Sequence, residues 1–337
     1  MRIDQPPLSK RKPVFFRHFL KNFLLVTLLI ALGVGVYLYG LPLLGWHTPR
    51  SPVGLETSSV KKPVLSQDVS VTVLPPFQKK PPLKAYAQPF ESPPGTHNQL
   101  MCVVFLNEDE DLSKKALAQL PKEIGIALDP TIRNASSWAG KFYQKGHEII
   151  AVIPLEPENY PLNDPGDHTL LTQFRSTDMA QNIKKSLEQI PYTLAVTHRT
   201  GTFFTAQKKP MHLFLNILKT QGMAFFDPFL TPQSVAQNAA QTIGLPALKA
   251  DYTSLSDPLE SLSVDFLNKT LSEHTDTNTG TANHRLTLAL SLSEDLIADL
   301  SRLKEGKDPK GSPWVLVPFS YVLRSNERPS GKEPPLK

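Results

Sequence analysis

Cysteine is nearly absent from this chain of 337 residues, which has one, Cys102. A single cysteine excludes an internal disulfide and any zinc or iron–sulfur site that needs several thiolates. Cys102 also lies inside the apolar run 100–106, which favours a small buried side chain over a reactive thiol. Neither a disulfide scaffold nor a thiolate metal centre is therefore expected.

Excess charge is also absent from most of the chain. The formal net charge is +5, and the first 21 residues carry all of it, with six Lys and Arg against one Asp. Residues 22–337 are balanced, with 30 cations against 30 anions. A surface that binds nucleic acid needs its excess Lys and Arg in the folded part. We therefore expect no nucleic-acid partner.

One long stretch has no charge at all, and it comes directly after the basic tail. Residues 23–46 are 24 uncharged residues, long enough as a helix to cross a hydrocarbon core of about 30 Å. This predicts one transmembrane helix at residues 22–46, and a cleaved signal peptide is the alternative. Cations on the N-terminal side keep residues 1–21 in the cytoplasm. In a bacterial cell this makes an inner-membrane protein whose C-terminal part is periplasmic.

Proline is abundant where apolar clusters are scarce. Residues 47–97 contain ten of the 32 prolines, and such a segment cannot bury enough apolar surface to offset its ordering entropy. We predict a disordered, semi-rigid tether over 47–97 and a disordered tail over 326–337. A Pro-rich motif that binds a protein partner is the alternative, and the sequence does not identify that partner.

Residues 98–325 alternate short apolar runs with amphipathic stretches. Strands buried on both faces and separated by helices indicate parallel βα units. Their number favours an irregular (β/α) barrel over an open doubly wound sheet. The predicted strands are Leu100–Leu106, Ile124–Leu128, Glu148–Ile153, Thr193–Thr197, Met223–Asp227, Ala247–Asp251, Leu286–Leu290 and Trp314–Pro318. The predicted helices are Ser113–Gln119, Ser136–Gln144, Met179–Gln189, Met211–Lys219, Ser234–Thr242, Pro258–Leu271 and Ser293–Leu303.

General catalytic motifs such as GxGxxG, GxxxxGK[ST], HExxH and GxSxG are missing from the predicted strand ends, where a barrel builds its site. A longer, ordered pattern is present instead. The chain resembles the divergent polysaccharide deacetylase family, within the carbohydrate deacetylase superfamily. The motifs that carry the resemblance are Gly146-His147-Glu148, Pro154-Leu155-Glu156-Pro157, Tyr160-Pro161, Asn163-Asp164-Pro165-Gly166, His168-Thr169-Leu170-Leu171, Val196 to Ala206, Gly222 to Asp227 and Val315 to Ser320.

This resemblance implies hydrolysis of acetyl groups on an envelope glycan. It also implies a divalent metal such as zinc, held by one Asp and two His, with a carboxylate as base. The positions that match those ligands hold other residues. Asn107 stands where an Asp is expected, Arg199 stands where a His is expected, and Val152 and Glu156 stand near the other histidine positions. His198 is one position early, which in a strand reverses the direction of the side chain. We therefore expect a degenerate site that binds no metal.

Two carboxylates remain as candidate catalytic residues, Glu156 and Asp227, since each follows a predicted strand. The leading interpretation is a membrane-anchored periplasmic protein of envelope carbohydrate metabolism whose hydrolase activity is weak or lost. The alternative is a non-catalytic glycan-binding or scaffold module of an envelope complex. A third interpretation, a glycoside hydrolase, needs two carboxylates about 5 to 10 Å apart, and Glu156 and Asp227 are the pair it would use.

Overall fold

The computed structural model describes residues 80–93, 98–256, 262–274, 284–304 and 314–326. The predicted basic tail, the membrane span at 22–46, the tether before residue 80 and the tail after Asn326 lie outside these ranges. None of the helices within them is long and apolar enough to cross a bilayer.

The described residues form nine strands and ten helices. In chain order these are α1 (Pro82–Tyr86), β1 (Asn98–Phe105), α2 (Glu110–Gln119), β2 (Gly125–Leu128), α3 (Ala135–Gln144), β3 (Ile149–Val152), α4 (Ser176–Gln189), β4 (Thr193–Thr197), α5 (Thr202–Ala206), α6 (Lys208–Thr220), β5 (Ala224–Asp227), α7 (Ala236–Ile243), β6 (Ala247–Lys249), β7 (Tyr252–Thr253), α8 (Val264–His274), β8 (Arg285–Ser291), α9 (Glu294–Lys304), β9 (Trp314–Leu316) and α10 (Phe319–Asn326).

All nine strands pair in parallel. Eight of them follow the order β6-β5-β4-β3-β2-β1-β8-β7, and β9 lies off this order and pairs with β1. The two end strands of this order, β6 and β7, are separated by only Ala250 and Asp251. Ala250 N–H donates to Asp227 O at 2.8 Å, and Asp251 N–H donates to Thr287 O at 2.8 Å. The extended segment made of β6, Ala250, Asp251 and β7 therefore bonds to β5 through its first half and to β8 through its second half. The sheet curls round on itself, which fits the predicted irregular (β/α) barrel.

The alternation of side chains along each strand divides the core into an inner and an outer layer. The inner cluster includes Met101, Val103 and Phe105 from β1 together with Ile150 and Val152 from β3. The residues between them face outward and pack under the helices, as Cys102 does. This burial raises the pKa of the Cys102 thiol well above its usual range, so the thiol is inert at neutral pH.

The segment 80–93 packs against the barrel, although its proline content placed it in the predicted tether. Leu83, Tyr86 and Phe90 contact the inner cluster, and Leu83 N–H donates to Gly222 O at 3.2 Å. Gly222 precedes β5, so this arm covers the end of the barrel where the strands begin. Its apolar residues are few but spaced to reach one surface.

The last helix, α10, closes the same end of the barrel. Phe319, Val322 and Leu323 join the inner cluster, and Phe319 meets Phe226 edge to face, with ring centroids 5.9 Å apart. The predicted strand Trp314–Pro318 would instead place Phe319 and Ser320 at the opposite end of the barrel, where the strands end. The difference arises because β9 pairs only with the first three residues of β1. The chain therefore enters α10 near the end of the barrel where the strands begin.

Candidate functional site

The carboxyl ends of the strands form the mouth at which a barrel places its site, and β4 contributes two side chains that face inward there. Thr197 pairs in register with Val152, which belongs to the inner cluster. Because residues that pair across a sheet point to the same side, Thr197 faces inward as well. Arg199, two residues further on, contacts Phe105 of the inner cluster.

Arg199 reaches across the mouth from the end of β4 to the end of β1. Its guanidinium carbon lies 5.5 Å from the centroid of the Phe105 ring, and Nη2 donates to Leu106 O at 2.7 Å. Burial lowers the pKa of the guanidinium, and the nearby charge of Asp129 opposes that shift. Arginine nevertheless stays cationic at neutral pH. The mouth therefore holds a fixed positive charge over the apolar interior.

Two polar groups at this end of β4, Arg199 Nε and Thr197 Oγ1, are buried without a hydrogen-bond partner in the part of the chain that the structure describes. Thr197 is 0% exposed. Among the residues that the structure describes, no ion pair joins Asp129 to Arg199, and Asp129 Oδ1 accepts from the N–H and hydroxyl of Thr131 at 2.9 and 2.7 Å. Buried polar groups in proteins nearly always have partners, so these two are exceptions.

The positions that would hold a metal in relatives do not fit one here. Val152 is an apolar member of the inner cluster, and Arg199 brings a cation to the mouth. Asn107 Oδ1 accepts from Asp109 N–H at 3.1 Å, and Asp109 in turn caps α2 through Leu112 N–H. Among the described residues there is no group of three or more His, Cys, Asp or Glu that could hold an ion.

His198 and Asp227 form a buried pair on the other face of the sheet. His198 stacks on Phe225, with ring centroids 6.1 Å apart, and Phe225 belongs to the cluster under the outer helices. The distance from His198 Nε2 to Asp227 Oδ1 is 3.3 Å. The one-residue shift noted in the sequence therefore separates His198 from Arg199: one faces the helices and the other faces the mouth.

Asp227 is held by two further side-chain hydrogen bonds that organise the turn after β5. Its Oδ1 also accepts from Phe229 N–H at 2.8 Å, and Oδ2 accepts from the Ser234 hydroxyl at 2.7 Å. Burial alone would raise the pKa of Asp227, but the hydrogen bond and charge of His198, with Ser234 and Phe229, lower it overall. This candidate carboxylate is thus ionised, buried and fully engaged.

Glu156, the other candidate carboxylate, lies in the loop after β3 and is partly buried. Its Oε2 accepts from Thr172 N–H at 2.6 Å, and its backbone N–H donates to Leu170 O at 3.0 Å. These bonds hold the two ends of the loop 156–172 together. Glu156 and Asp227 have separate sets of partners in the described residues, and no hydrogen bond joins them.

A close backbone approach fixes the loop that carries Arg199. Gly201 has φ +109°, and a Cβ on it would lie 2.3 Å from Leu155 Cβ, so only glycine fits. Thr200 Oγ1 donates to Leu155 O at 3.0 Å, and Phe204 N–H donates to Glu156 O at 3.1 Å. The loops after β3 and β4 are therefore bound to each other at the mouth.

Sequence reasoning missed two features of this protein that the structure makes plain. Thr197 was included in a matching motif but had no assigned role, and a hydroxyl on an inward strand position was the available signal. Glu148 was read as the start of β3, whereas its carboxylate is a buried anchor at the other end of the barrel. It accepts from Ser320 N–H at 2.9 Å, from the Ser320 hydroxyl at 2.5 Å and from Gln88 N–H at 3.0 Å.

Three comparisons place these features among known proteins. Residues 109–254 match the family described as divergent polysaccharide deacetylase. The uncharacterized protein YibQ of Escherichia coli (strain K12) is 24% identical over 131 residues, which are 39% of this chain and 40% of that protein. The match thus spans about two fifths of that relative. The crystal structure of uncharacterized protein ATU2773 from Agrobacterium tumefaciens C58 has a TM-score of 0.61 at 22% identity, over 74% of this chain and 98% of that one. At this identity the likeness shows the fold.

Proposed function

We propose, from the premise that residues 109–254 form a divergent polysaccharide deacetylase domain, that the chain binds an envelope glycan at the barrel mouth with weak or no hydrolysis. In this proposal residues 22–46 anchor it in the bacterial inner membrane and the barrel lies in the periplasm. The sequence resemblance found from its motifs supports the glycan as ligand, and the charge pattern around the uncharged run supports the orientation.

We infer the loss of hydrolysis from the side chain at the mouth, Arg199. A metal-dependent deacetylase needs a cation that polarises the acyl carbonyl and activates water. Arg199 stands there instead, and a guanidinium donates hydrogen bonds but cannot lower the pKa of a coordinated water as a metal does. The guanidinium therefore supplies a positive charge at the mouth, but it does not generate the water nucleophile that a bound metal would generate. Binding is retained and hydrolysis is not.

Acetate release tests this directly. The full-length chain in detergent is incubated with a chitin hexamer, which carries an N-acetyl group on every sugar, with zinc or with a chelator. We expect no release above the level of a boiled sample in either condition. Metal-dependent release that is abolished in Glu156→Ala would overturn the proposal, and it would make Glu156 the base that the resemblance implies. Glu158→Ala, a neighbour in the same loop, is the control.

The second candidate is a scaffold of an envelope complex, favoured by the arm 80–93. This arm joins the predicted tether to the barrel and packs on the end opposite the mouth. A scaffold predicts that a co-purified protein depends on residues 47–97 and is unaffected by Arg199→Gln. Glycan binding that is lost in Arg199→Gln would decide against it.

A further inference from the structure

The cation at the barrel mouth, Arg199, forms no ion pair with any residue that the structure describes, and Asp129 acts on it only as a nearby charge. Among the described residues, the ion pairs involve other side chains, and the one hydrogen bond of Arg199 is to the neutral carbonyl of Leu106. Buried charges in proteins are usually paired, because the lost hydration has to be replaced. We propose that the missing partner is the ligand, and that Arg199 binds a carboxylate carried by an acidic glycan. This inference rests on the proposed glycan-binding function and specifies its ligand class.

Thr197 gives an independent indication that a polar group belongs here. Its hydroxyl is fully buried, faces inward one layer below Arg199 and has no hydrogen-bond partner. A hydroxyl in an apolar interior costs free energy unless it is bonded. The two unpartnered groups lie two residues apart at the end of the same strand and on the same side of the sheet. Thr197 and Arg199 are the residues we assign to the ligand.

The chemistry of the guanidinium selects a carboxylate. Its donors form a planar fork that matches a carboxylate in a two-bond contact, and one positive charge balances one negative charge. A phosphate monoester is close to a dianion at neutral pH, whereas the Arg199 guanidinium is a single positive charge with the negative charge of Asp129 nearby. The singly charged carboxylate fits this balance better.

Apolar side chains at the same end suit the sugar rings that would carry this group. Two large apolar residues in the described part are exposed, Leu162 at 96% and Phe203 at 38%. Leu162 lies in the loop after β3 and Phe203 lies in α5 after β4, so both follow strands at the mouth. Apolar surface at the same end as polar donors is a usual composition of a small-ligand site.

The contrary interpretation is that Arg199 only plugs the barrel, using Phe105 and Leu106 as its partners. It predicts a loss of stability without any ligand preference. A matched pair of ligands separates the two interpretations. The β-1,4-linked hexamer of mannuronic acid and the β-1,4-linked hexamer of mannose have the same backbone and differ at carbon 6, where one has a carboxylate and the other a hydroxymethyl group.

The test is calorimetric titration of the full-length chain in detergent with each hexamer. We expect the acidic hexamer to bind at least about tenfold more tightly than the neutral one, as for a site whose charged donor would otherwise stay unpaired. Arg199→Gln should weaken the acidic hexamer at least about tenfold and leave the neutral hexamer unchanged. Thr197→Val, which keeps the shape of the side chain, should weaken the acidic hexamer by a smaller factor.

Arg133→Gln is the matched control, because Arg133 is exposed in the loop after β2 at the same end of the barrel. It should change the affinity by less than about twofold. If the basic N-terminal tail alone attracts the acidic hexamer, Arg199→Gln will bind like the wild type and the inference is overturned. Equal affinity for both hexamers also overturns it, while the proposed glycan binding survives. No binding of either hexamer overturns both. Thermal unfolding followed by circular dichroism confirms that each variant is folded.

Discussion

Each end of the barrel contains a charged side chain that points into the protein, and the two side chains differ in how their hydrogen-bonding groups are satisfied. Glu148, where the strands begin, is 1% exposed and accepts hydrogen bonds from Ser320 and Gln88. Within the described ranges, Arg199, where the strands end, has one neutral acceptor and an unpartnered Nε. The first charge joins β3, α10 and the arm into one structure. The second charge keeps an N–H donor that no described residue pairs with.

This difference separates a structural charge from one that is available to a ligand. Burial raises the pKa of the Glu148 carboxyl, and the bonds from Ser320 and Gln88, with the charge of Arg324, oppose that shift. The protein thus replaces part of the hydration that Glu148 loses, and the pKa stays raised overall. The described residues do not do so for the Nε of Arg199. The same rule holds for many barrels, in which residues at the start of the strands maintain the fold and residues at the end of the strands act on a substrate.

The largest expected effect comes from removing the charge of Glu148 at the closed end of the barrel, which is the end where the strands begin. Glu148→Ala leaves the Ser320 and Gln88 donors buried without an acceptor, so we expect the free energy of unfolding to fall by about 3–5 kcal/mol. Glu148→Gln keeps one acceptor oxygen and should lose less than half of that. Chemical denaturation of both variants measures it. A loss below about 1 kcal/mol for Glu148→Ala would contradict the assignment of this charge to structure.

The buried pair behind the mouth should have the next largest effect. Asp227→Asn weakens the contact with His198, and we expect a loss of about 2–4 kcal/mol at pH 7. Because the folded pKa of Asp227 lies below its ordinary value, its stabilisation is complete above about pH 4 and is lost as the pH falls through the folded pKa. The difference between wild type and variant should therefore shrink in acid.

Asp178→Asn serves as the control for the buried pair, because Asp178 pairs with Arg175 on the surface. Its unfolding midpoint should match that of the wild type. A difference between Asp227→Asn and wild type that stays constant down to pH 2 would contradict the account of the buried pair.

A glycine substitution tests how firmly the mouth is built. Gly201→Ala would place Cβ against Leu155, whereas Gly166 has a similar φ of +107° and nothing within 4 Å of a new Cβ. Both alanine variants carry the cost of the backbone conformation, and only Gly201→Ala adds the clash. We expect Gly201→Ala to be less stable than Gly166→Ala by about 1–3 kcal/mol. Equal unfolding midpoints would show that the two loops are not held together at this point.

The smallest expected effect on stability comes from the charge at the open end. Arg199→Gln loses one hydrogen bond and the contact with Phe105, but it also removes the cost of burying a charge. We expect the free energy of unfolding to change by less than about 1 kcal/mol in either direction. A loss above about 2 kcal/mol would make Arg199 a structural residue like Glu148 and would remove the contrast between the two ends.

The contrast was half visible in the sequence. Alternating apolar runs and amphipathic stretches predicted most strands to within two residues, because strands buried on both faces leave a strong signal. The motif also predicted the position of Arg199. Because His198 and Arg199 are adjacent in a strand, it predicted that their side chains point to opposite faces of the sheet. The family match over residues 109–254 confirms the resemblance.

The closed end could not be predicted from local patterns. The arm 80–93 has the composition of a tether, and only its long-range contacts with the inner cluster order it. Helix α10 was hidden because β9 is short and pairs only with the start of β1. Glu148 stands next to an apolar strand, and nothing in its neighbourhood along the chain indicates the partners, Gln88 and Ser320, that lie 60 and 172 residues away.

The central claim is that Arg199 is the group that meets the ligand. It is tested most directly by nuclear magnetic resonance of the full-length chain labelled with ¹⁵N-arginine, in which the Nε–H signal of Arg199 is assigned through its loss in Arg199→Lys. Addition of the mannuronic acid hexamer should shift this signal and slow its exchange with water, while the Arg133 signal stays in place and the mannose hexamer has no effect on either. An Arg199 signal that does not move while the acidic hexamer binds would contradict the account.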